Sequence, residues 1–215
     1  MEQTVEQRIA KDLLEIEAVF LRPDEPFTWA SGIKSPIYCD NRLTLTSPSV
    51  RQVIEEQLAA LIMKEFPEVE LLMGTATAGI PHAAIVGHLL QLPMGYVRGK
   101  AKSHGRVNQI EGRLPKGAHV VVVEDLISTG GSSLDAVEAL RDAGAEVLGI
   151  VSIFTYGMQL AQKNMAKHHV QLRSLTNLDA LVQVAHIEGY IKEIDIERIL
   201  KFRDNPQDTR WIHHA

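Results

Sequence analysis

The sequence predicts an α/β protein: an open, mostly parallel sheet flanked by helices, with a small N-terminal hood. Three observations predict it. Strand, small-residue loop, helix and strand follow one another twice between Val69 and Phe154, the grammar of parallel βαβ units. Val120 to Val123 is a run of four valines, suited to a strand covered on both faces. The chain has 215 residues, 45% hydrophobic and 23% charged, enough apolar surface to offset chain entropy without a covalent or metal staple. We expect one domain over 1–215: a first helix and hood (1–45), an α/β core (46–175) and C-terminal helices (176–215).

The elements follow in order. Val5, Ile9, Leu13, Ile16 and Phe20 recur every three or four residues and predict a helix over 5–20. Arg22-Pro23-Asp24-Glu25-Pro26 is a turn. Residues 27–45, rich in Ser, Gly, Pro and aromatics, predict short strands and loops that form a flap. Ser47 as N-cap and Pro48 at the first helical position open a second helix. Val50, Val53, Ile54, Leu58, Leu61 and Ile62 share its buried face, only Gln57 interrupts them, and Pro67 marks the end. Val69–Met73 predicts a strand, Gly74–Gly79 a loop, Pro81–Leu90 a helix and Pro93–Val97 a strand. Residues 98–117 are polar, carry four glycines and show no period, which reads as a functional lid. Beyond the valine run, Ser128–Ser133 reads as a loop, Leu134–Asp142 as a helix capped at Gly144, and Val147–Phe154 as a strand. Thr176–Glu188 and Glu193–Arg203 predict the last helices, with Thr176 and Asp179 as a capping-box-like start.

Composition excludes several classes. A net charge of -5 argues against a nucleic-acid binder. No apolar run approaches the length of a membrane span, so no membrane partner is expected. The charged, amphipathic N-terminus lacks a signal-peptide core, which points to a cytoplasmic location. The single cysteine, Cys39, excludes an internal disulfide and a Cys-based zinc cage, and it reads as a small buried side chain. His168-His169 and His213-His214 are adjacent pairs whose side chains point apart on regular structure, so they do not suggest a metal. His82 and His88 read as packing or surface residues.

Four stretches carry chemistry. In an open α/β sheet the binding crevice lies at the carboxyl ends of the strands. The valine strand is expected to end in Glu124 and Asp125. Leu126 and Ile127 follow, and then Ser128-Thr129-Gly130-Gly131-Ser132-Ser133 leads into a helix. Amides and hydroxyls of that loop suit a phosphate monoester. The carboxylates would repel phosphate but accept hydrogen bonds from sugar hydroxyls, so together they describe a sugar-phosphate site. An ordinary capped helix would also carry such residues. Neither a P-loop nor a dinucleotide fingerprint occurs. The second stretch alternates Arg98, Lys100, Lys102, His104 and Arg106 with no acid before Glu111. Glycines at 99, 105 and 112 would let it move, and it could close over a pyrophosphate leaving group. Basic runs are more often plain solvated loops. The third, Phe27 to Tyr38, offers aromatics and amides to a flat ring, although Trp29 reads better as a core plug. The fourth, Gly74 to Gly79, allows close backbone approach to phosphate.

These stretches carry a resemblance. Val120–Ser132 resembles the thirteen-residue phosphoribosyl-pyrophosphate (PRPP) motif of type I phosphoribosyltransferases. The loop from Arg98, with its tail Asn108-Gln109-Ile110-Glu111-Gly112, resembles the catalytic loop of the orotate phosphoribosyltransferase family. The hood segment resembles that family's F-T-x-x-S-G-x-x-S-P, and Gly74–Gly79 its pyrophosphate loop. The likeness runs from the first helix to Trp211 and is closest to the Bacillus-type bacterial form. It implies the type I phosphoribosyltransferase fold and transfer of 5-phosphoribosyl from PRPP to orotate in pyrimidine (UMP) biosynthesis. It further implies Mg²⁺ held mainly through PRPP, and a homodimer with shared sites. Carried onto this sequence, Glu124 and Asp125 hold the ribose, and Asp125 is catalytic. Leu126, Ile127, Ser128, Thr129, Gly130, Gly131 and Ser132 complete the PRPP site, with Ser128 also near orotate. Arg98, Lys102 and His104 neutralise pyrophosphate, and Lys102 is the main catalytic residue. Ala30, Ala78 and Gly99 stand where some relatives carry Lys. Phe154-Thr155-Tyr156-Gly157 stands where some carry Arg, so orotate's carboxylate needs another partner, such as backbone amides or Arg42. A purine phosphoribosyltransferase would not need the hood segment or the Lys-x-His loop. A PRPP-sensing transcription regulator would need a basic DNA-binding surface.

Overall fold

A capping box between Thr4 and Gln7 starts helix α1 (Val5–Glu15), which buries Ile9, Leu13 and Leu14. The helix stops five residues short of expectation. Glu17 adopts φ 58°, a left-handed turn, and the β-preferring Val19 and Phe20 leave the helix for strand β1 (Val19–Leu21). The computed structural model describes residues 3–29, 32–99 and 109–212. The hood consists of β2 (Phe27–Thr28) paired with β3 (Lys34–Ser35), β4 (Ile37–Cys39) paired antiparallel with β1, and a 3-10 helix over Asn41–Thr46. Helix α2 (Pro48–Glu65) starts at Ser47 and Pro48 as expected.

The main sheet contains β5 (Leu71–Thr75), β6 (Met94–Val97), β7 (Ile110–Glu111), β8 (His119–Ile127), β9 (Glu146–Thr155) and β10 (Gln171–Asn177). Its order is β10-β9-β8-β5-β6-β7, parallel throughout except that β7 runs antiparallel to β6. The helices between them are α3 (Gly79–Leu90), α4 (Gly131–Asp142) and α5 (Gln159–Lys167), followed by α6 (Leu178–Ile187) and α7 (Glu193–Asp204). Val121 and Val123 face a core shared with α1, α2, α3, α6 and α7, while Val120 and Val122 face a second core with α4 and α5. The valine run is thus buried on both sides, as its composition predicts.

Several expectations need correction. β5 lies two residues later than predicted, because its ladder with β8 begins at Leu71 opposite Val120. The polar stretch 98–117 contains β7. The last-but-one helix begins at Leu178, not Thr176. Thr176 sits in β10 opposite Phe154, and Asn177 caps α6 by accepting from the Ala180 amide at 2.9 Å. Neither α5 nor β10 is predicted above. His82 is not simply packing: its Nδ1 lies 2.6 Å from Glu55 Oε1 in a fully buried pair between α3 and α2.

Candidate active site

The chain adds β6 on one side of β5, then returns to lay β8 on the other. Reversals of this kind open a crevice at the carboxyl ends of the two central strands. β5 pairs with β8 only as far as Gly74 opposite Val123, whereas β9 stays with β8 to Thr155 opposite Ile127. The strand therefore does not end at the acidic pair. Glu124 and Asp125 lie within β8, on a stretch whose β5 neighbour has already turned away.

Glu124 is buried. Its Oε2 accepts from Ser133 Oγ at 3.0 Å and its Oε1 from the Asp125 amide at 3.1 Å. Burial first, then the hydrogen-bonded negative neighbour Asp125, push its pKa up to about 7, and the Thr75 hydroxyl and Asp125 amide offset only part of this. Ligand hydroxyls donating to this carboxyl would favour its ionised form. Asp125 is half-buried and electrostatically close to Cys39 and Arg42 of the hood.

After β8 the chain reaches Ser128 and Thr129, both half-buried, and Asn164 Nδ2 donates to Thr129 O at 3.0 Å to hold the turn. Gly130 has φ 79°, which favours glycine, and a Cβ there would also have to displace the flexible end of Met165, whose Cε would lie 2.6 Å away. Helix α4 begins at Gly131, three residues earlier than predicted. Gly131, Ser132 and Ser133 thus form its first turn, whose amides have no intrahelical partner. Exposed Gly131 and Ser132 open onto this end of the sheet. Leu126 packs on the core and Ile127 is buried, so they can offer a ligand only backbone.

The loop after β5 forms the other wall. A Cβ at Gly79 would lie 2.3 Å from Val123 O and 2.6 Å from Thr75 Oγ1, so glycine lets this loop press against β8. The Ala76–Thr77 peptide is cis. No side chain caps α3 at Ala78; Ile80 N donates to Thr77 O at 3.3 Å and Pro81 has no N–H, so the first turn offers a ligand the Gly79 amide alone.

The remaining predicted residues are distributed as follows. Arg98 Nη2 meets Glu111 Oε1 at 2.9 Å at the foot of the 98–109 loop. Lys102 and His104 lie outside the described residues, as do Ala30, Lys100, Arg106, Asn108, His213 and His214. Trp29 packs on Tyr156 and Phe202, with ring centroids 5.9 and 5.6 Å apart, in keeping with a core plug. Arg42 is engaged by Asp40, at 2.6 and 2.7 Å. Cys39 is half-buried and donates to Asn41 Oδ1 at 3.2 Å.

Ser133 and Thr75 lie in stretches the sequence singles out, without their bonds to Glu124 and Val123 being legible there, and Asn41, whose Nδ2 donates to Asp125 O at 2.7 Å, escapes it altogether. Ser133 was open to discovery, since it falls in the same strand–loop–helix unit as Glu124. Asn41 carried no such signal.

Among the described residues no group of three or more His, Cys, Asp or Glu could cage a metal. The crevice offers two carboxylates, one of them already hydrogen-bonded twice. That donor set fits a divalent cation whose other ligands come from a bound substrate.

A family profile described as "Phosphoribosyl transferase domain" matches residues 45–188. Orotate phosphoribosyltransferase of Listeria innocua is 59% identical over 204 residues, covering 95% of this chain and 98% of that protein. The Bacillus cytotoxicus orotate phosphoribosyltransferase is 56% identical over 208 residues, covering 97% and 99%. Among solved structures, the orotate phosphoribosyltransferase of Aeropyrum pernix superimposes with a TM-score of 0.75 at 33% identity, over 85% of this chain and 99% of that one. With an acidic pair and the open N-terminus of α4 at one crevice, and with relatives this similar along almost its whole length, the chain belongs to the orotate phosphoribosyltransferase family.

Proposed function

We propose that this chain transfers the 5-phosphoribosyl group of PRPP to orotate in the crevice between β5 and β8, releasing orotidine 5′-monophosphate and pyrophosphate. One observation carries the assignment of the site. The acidic pair and the first turn of α4 follow each other on one strand–turn–helix unit at the sheet's crossover. Carboxylates there suit ribose hydroxyls, and the free amides of Gly131, Ser132 and Ser133 suit the 5-phosphate. The small residues of Gly74–Gly79, with the Gly79 amide, suit close backbone approach to the pyrophosphate across the crevice.

In the reaction the C1–O bond to pyrophosphate breaks, a C1–N1 bond to orotate forms with inversion, and the N1 proton is released to the departing pyrophosphate or to water. The ribose gains positive charge on the way, and Glu124 and Asp125 favour that charge through their own negative charge. Arg98, Lys102 and His104 neutralise the departing pyrophosphate, with Lys102 foremost. Ser128, half-buried after β8, is also assigned to orotate on the family resemblance. Arg42 could turn to orotate's carboxylate only by leaving Asp40, so we assign that carboxylate to backbone amides. Mg²⁺, when bound with PRPP, screens the pyrophosphate charge and polarises the leaving oxygen. No helix among the described residues is long and apolar enough to cross a membrane, and a cytoplasmic homodimer with shared sites is the form we adopt.

The test is an ultraviolet assay of orotate consumption with PRPP and Mg²⁺. Turnover with orotate and none with adenine or hypoxanthine is expected. Turnover only with a purine would overturn the assignment.

A further inference from the structure

A strand that loses its neighbour must satisfy its open edge by other means. β8 keeps β9 on one side as far as Ile127, but on the other side β5 stops pairing at Val123. Carbonyls on one edge of a strand recur every second residue. Val123 O takes the Thr75 hydroxyl at 3.3 Å, and the next, Asp125 O, takes Asn41 Nδ2 at 2.7 Å. Asn41 reaches it from 84 residues upstream, in the 3-10 helix of the hood.

Asn41 is built in rather than incidental. It is 1% exposed, and the Thr44 hydroxyl donates to its carbonyl at 2.6 Å. An Asn amide can turn over and present oxygen instead of nitrogen. Asp125 O can only accept, so it requires Nδ2 to face β8, and the Cys39 thiol supports that orientation by donating to Oδ1 at 3.2 Å. Burial first, then Asp125 and Asp40, raise the thiol's pKa, so it remains a donor.

We propose that Asn41 is a positioning residue for Asp125: it stands in for the strand neighbour that β8 has lost and fixes the backbone carrying that carboxylate, with Cys39 supporting the orientation of its amide. The hood and the ribose-binding strand are thereby joined by one side chain. The inference rests on the reading of Asp125 as a ribose ligand.

The test compares Asn41→Ala, Asn41→Asp, Cys39→Ala and Cys39→Ser in the full-length enzyme. Position 41 is surrounded by Asp40 and Arg42 on its own helix, Cys39 on β4, and Glu124 and Asp125 on β8, so every rate is taken as a ratio to wild type at the same pH. Orphaning a buried carbonyl is expected to lower kcat/KM for PRPP about ten- to hundred-fold in Asn41→Ala. KM for orotate should stay within about two-fold, because the lesion lies on the ribose side. Asn41→Asp is isosteric, and its carboxyl can donate to Asp125 O only when protonated. Its ratio should therefore recover as pH falls, while the Asn41→Ala ratio stays flat. Cys39→Ala should cost about two- to five-fold, and Cys39→Ser, which keeps a donor, should restore most of it.

A folded Asn41→Ala with wild-type kcat/KM for PRPP overturns the proposal, as does an Asn41→Asp ratio that does not change with pH. If Asn41→Ala fails to fold, the isosteric Asn41→Asp and the two Cys39 variants decide. Wild-type PRPP kinetics in Asp125→Asn would instead remove the reading of Asp125, and this inference with it.

Discussion

Asp125→Asn keeps the shape of the side chain and removes its charge, so the fold should stand while ribose hydroxyls lose an ionic acceptor. Hydrogen bonds to charged groups are worth more than neutral ones, and a ten- to hundred-fold loss of PRPP affinity, roughly 1.5–3 kcal/mol, is expected by calorimetry. Unchanged affinity with normal turnover would place the ribose elsewhere. Glu124 adds a pH dependence with a definite sign. Its pKa is raised to about 7 from a usual 4.5, by burial first and Asp125 next. Between those values the folded chain binds more protons than the unfolded one, so stability falls as pH rises through the window. The penalty is absent below the unfolded value and complete above the folded one, on the order of 3 kcal/mol. Urea denaturation at pH 5 and pH 7.5 should show wild type losing stability relative to Glu124→Gln. Parallel losses in both proteins would assign the proton to another group.

Elements differ in how legible they were. β8 and α4 could be read from the valine run, the acidic pair and the glycines, since each of those residues acts on its immediate neighbours. The small-residue loop and α3 were legible for the same reason. α5 was not: it buries only Ala161 and Met165, too few apolar positions to show a period. β10 buries only two of its seven residues, Leu175 and Thr176, and so escaped as well. The bond from Asn41 to Asp125 spans 84 residues and is decided by where β5 stops, which no local pattern records. The two glycines at the helix starts give a test at this scale. A Cβ at Gly79 meets Val123 O at 2.3 Å, whereas one at Gly131 meets nothing within 4 Å. Gly79→Ala should therefore force the loop off β8, cost about 1–3 kcal/mol and weaken pyrophosphate binding. Gly131→Ala should hold or gain about 0.5–1 kcal/mol as a helical Gly→Ala change, yet raise KM for PRPP by crowding the phosphate. Thermal melts that rank the two variants the other way would contradict the close contact at Gly79.

At the scale of the whole molecule the open question is which subunit's site Lys102 serves. Lys102 lies in the sequence between β6 and β7, whose facing ends are joined by a 2.8 Å backbone hydrogen bond from Arg98 N to Gln109 O. β6 stands two strand spacings from β8, about 10 Å. Lys102 follows the end of β6 by five residues, at most about 18 Å of extended chain. Reach alone therefore permits its own site as well as a neighbour's. The segment's cations repel one another, so it gains wherever a pyrophosphate is presented, and the homodimer with shared sites proposed above would give Lys102 the neighbour's. Lys102→Ala and Asp125→Asn homodimers should each be nearly inactive. Subunit exchange between them should give heterodimers in which, for a shared site, one site holds both lesions and the other neither. If the sites act independently, each heterodimer should recover up to about half of native activity. Native mass spectrometry establishes that heterodimers have formed. Their formation without any recovery would put Lys102 in the site of its own subunit, because every site would then carry one lesion.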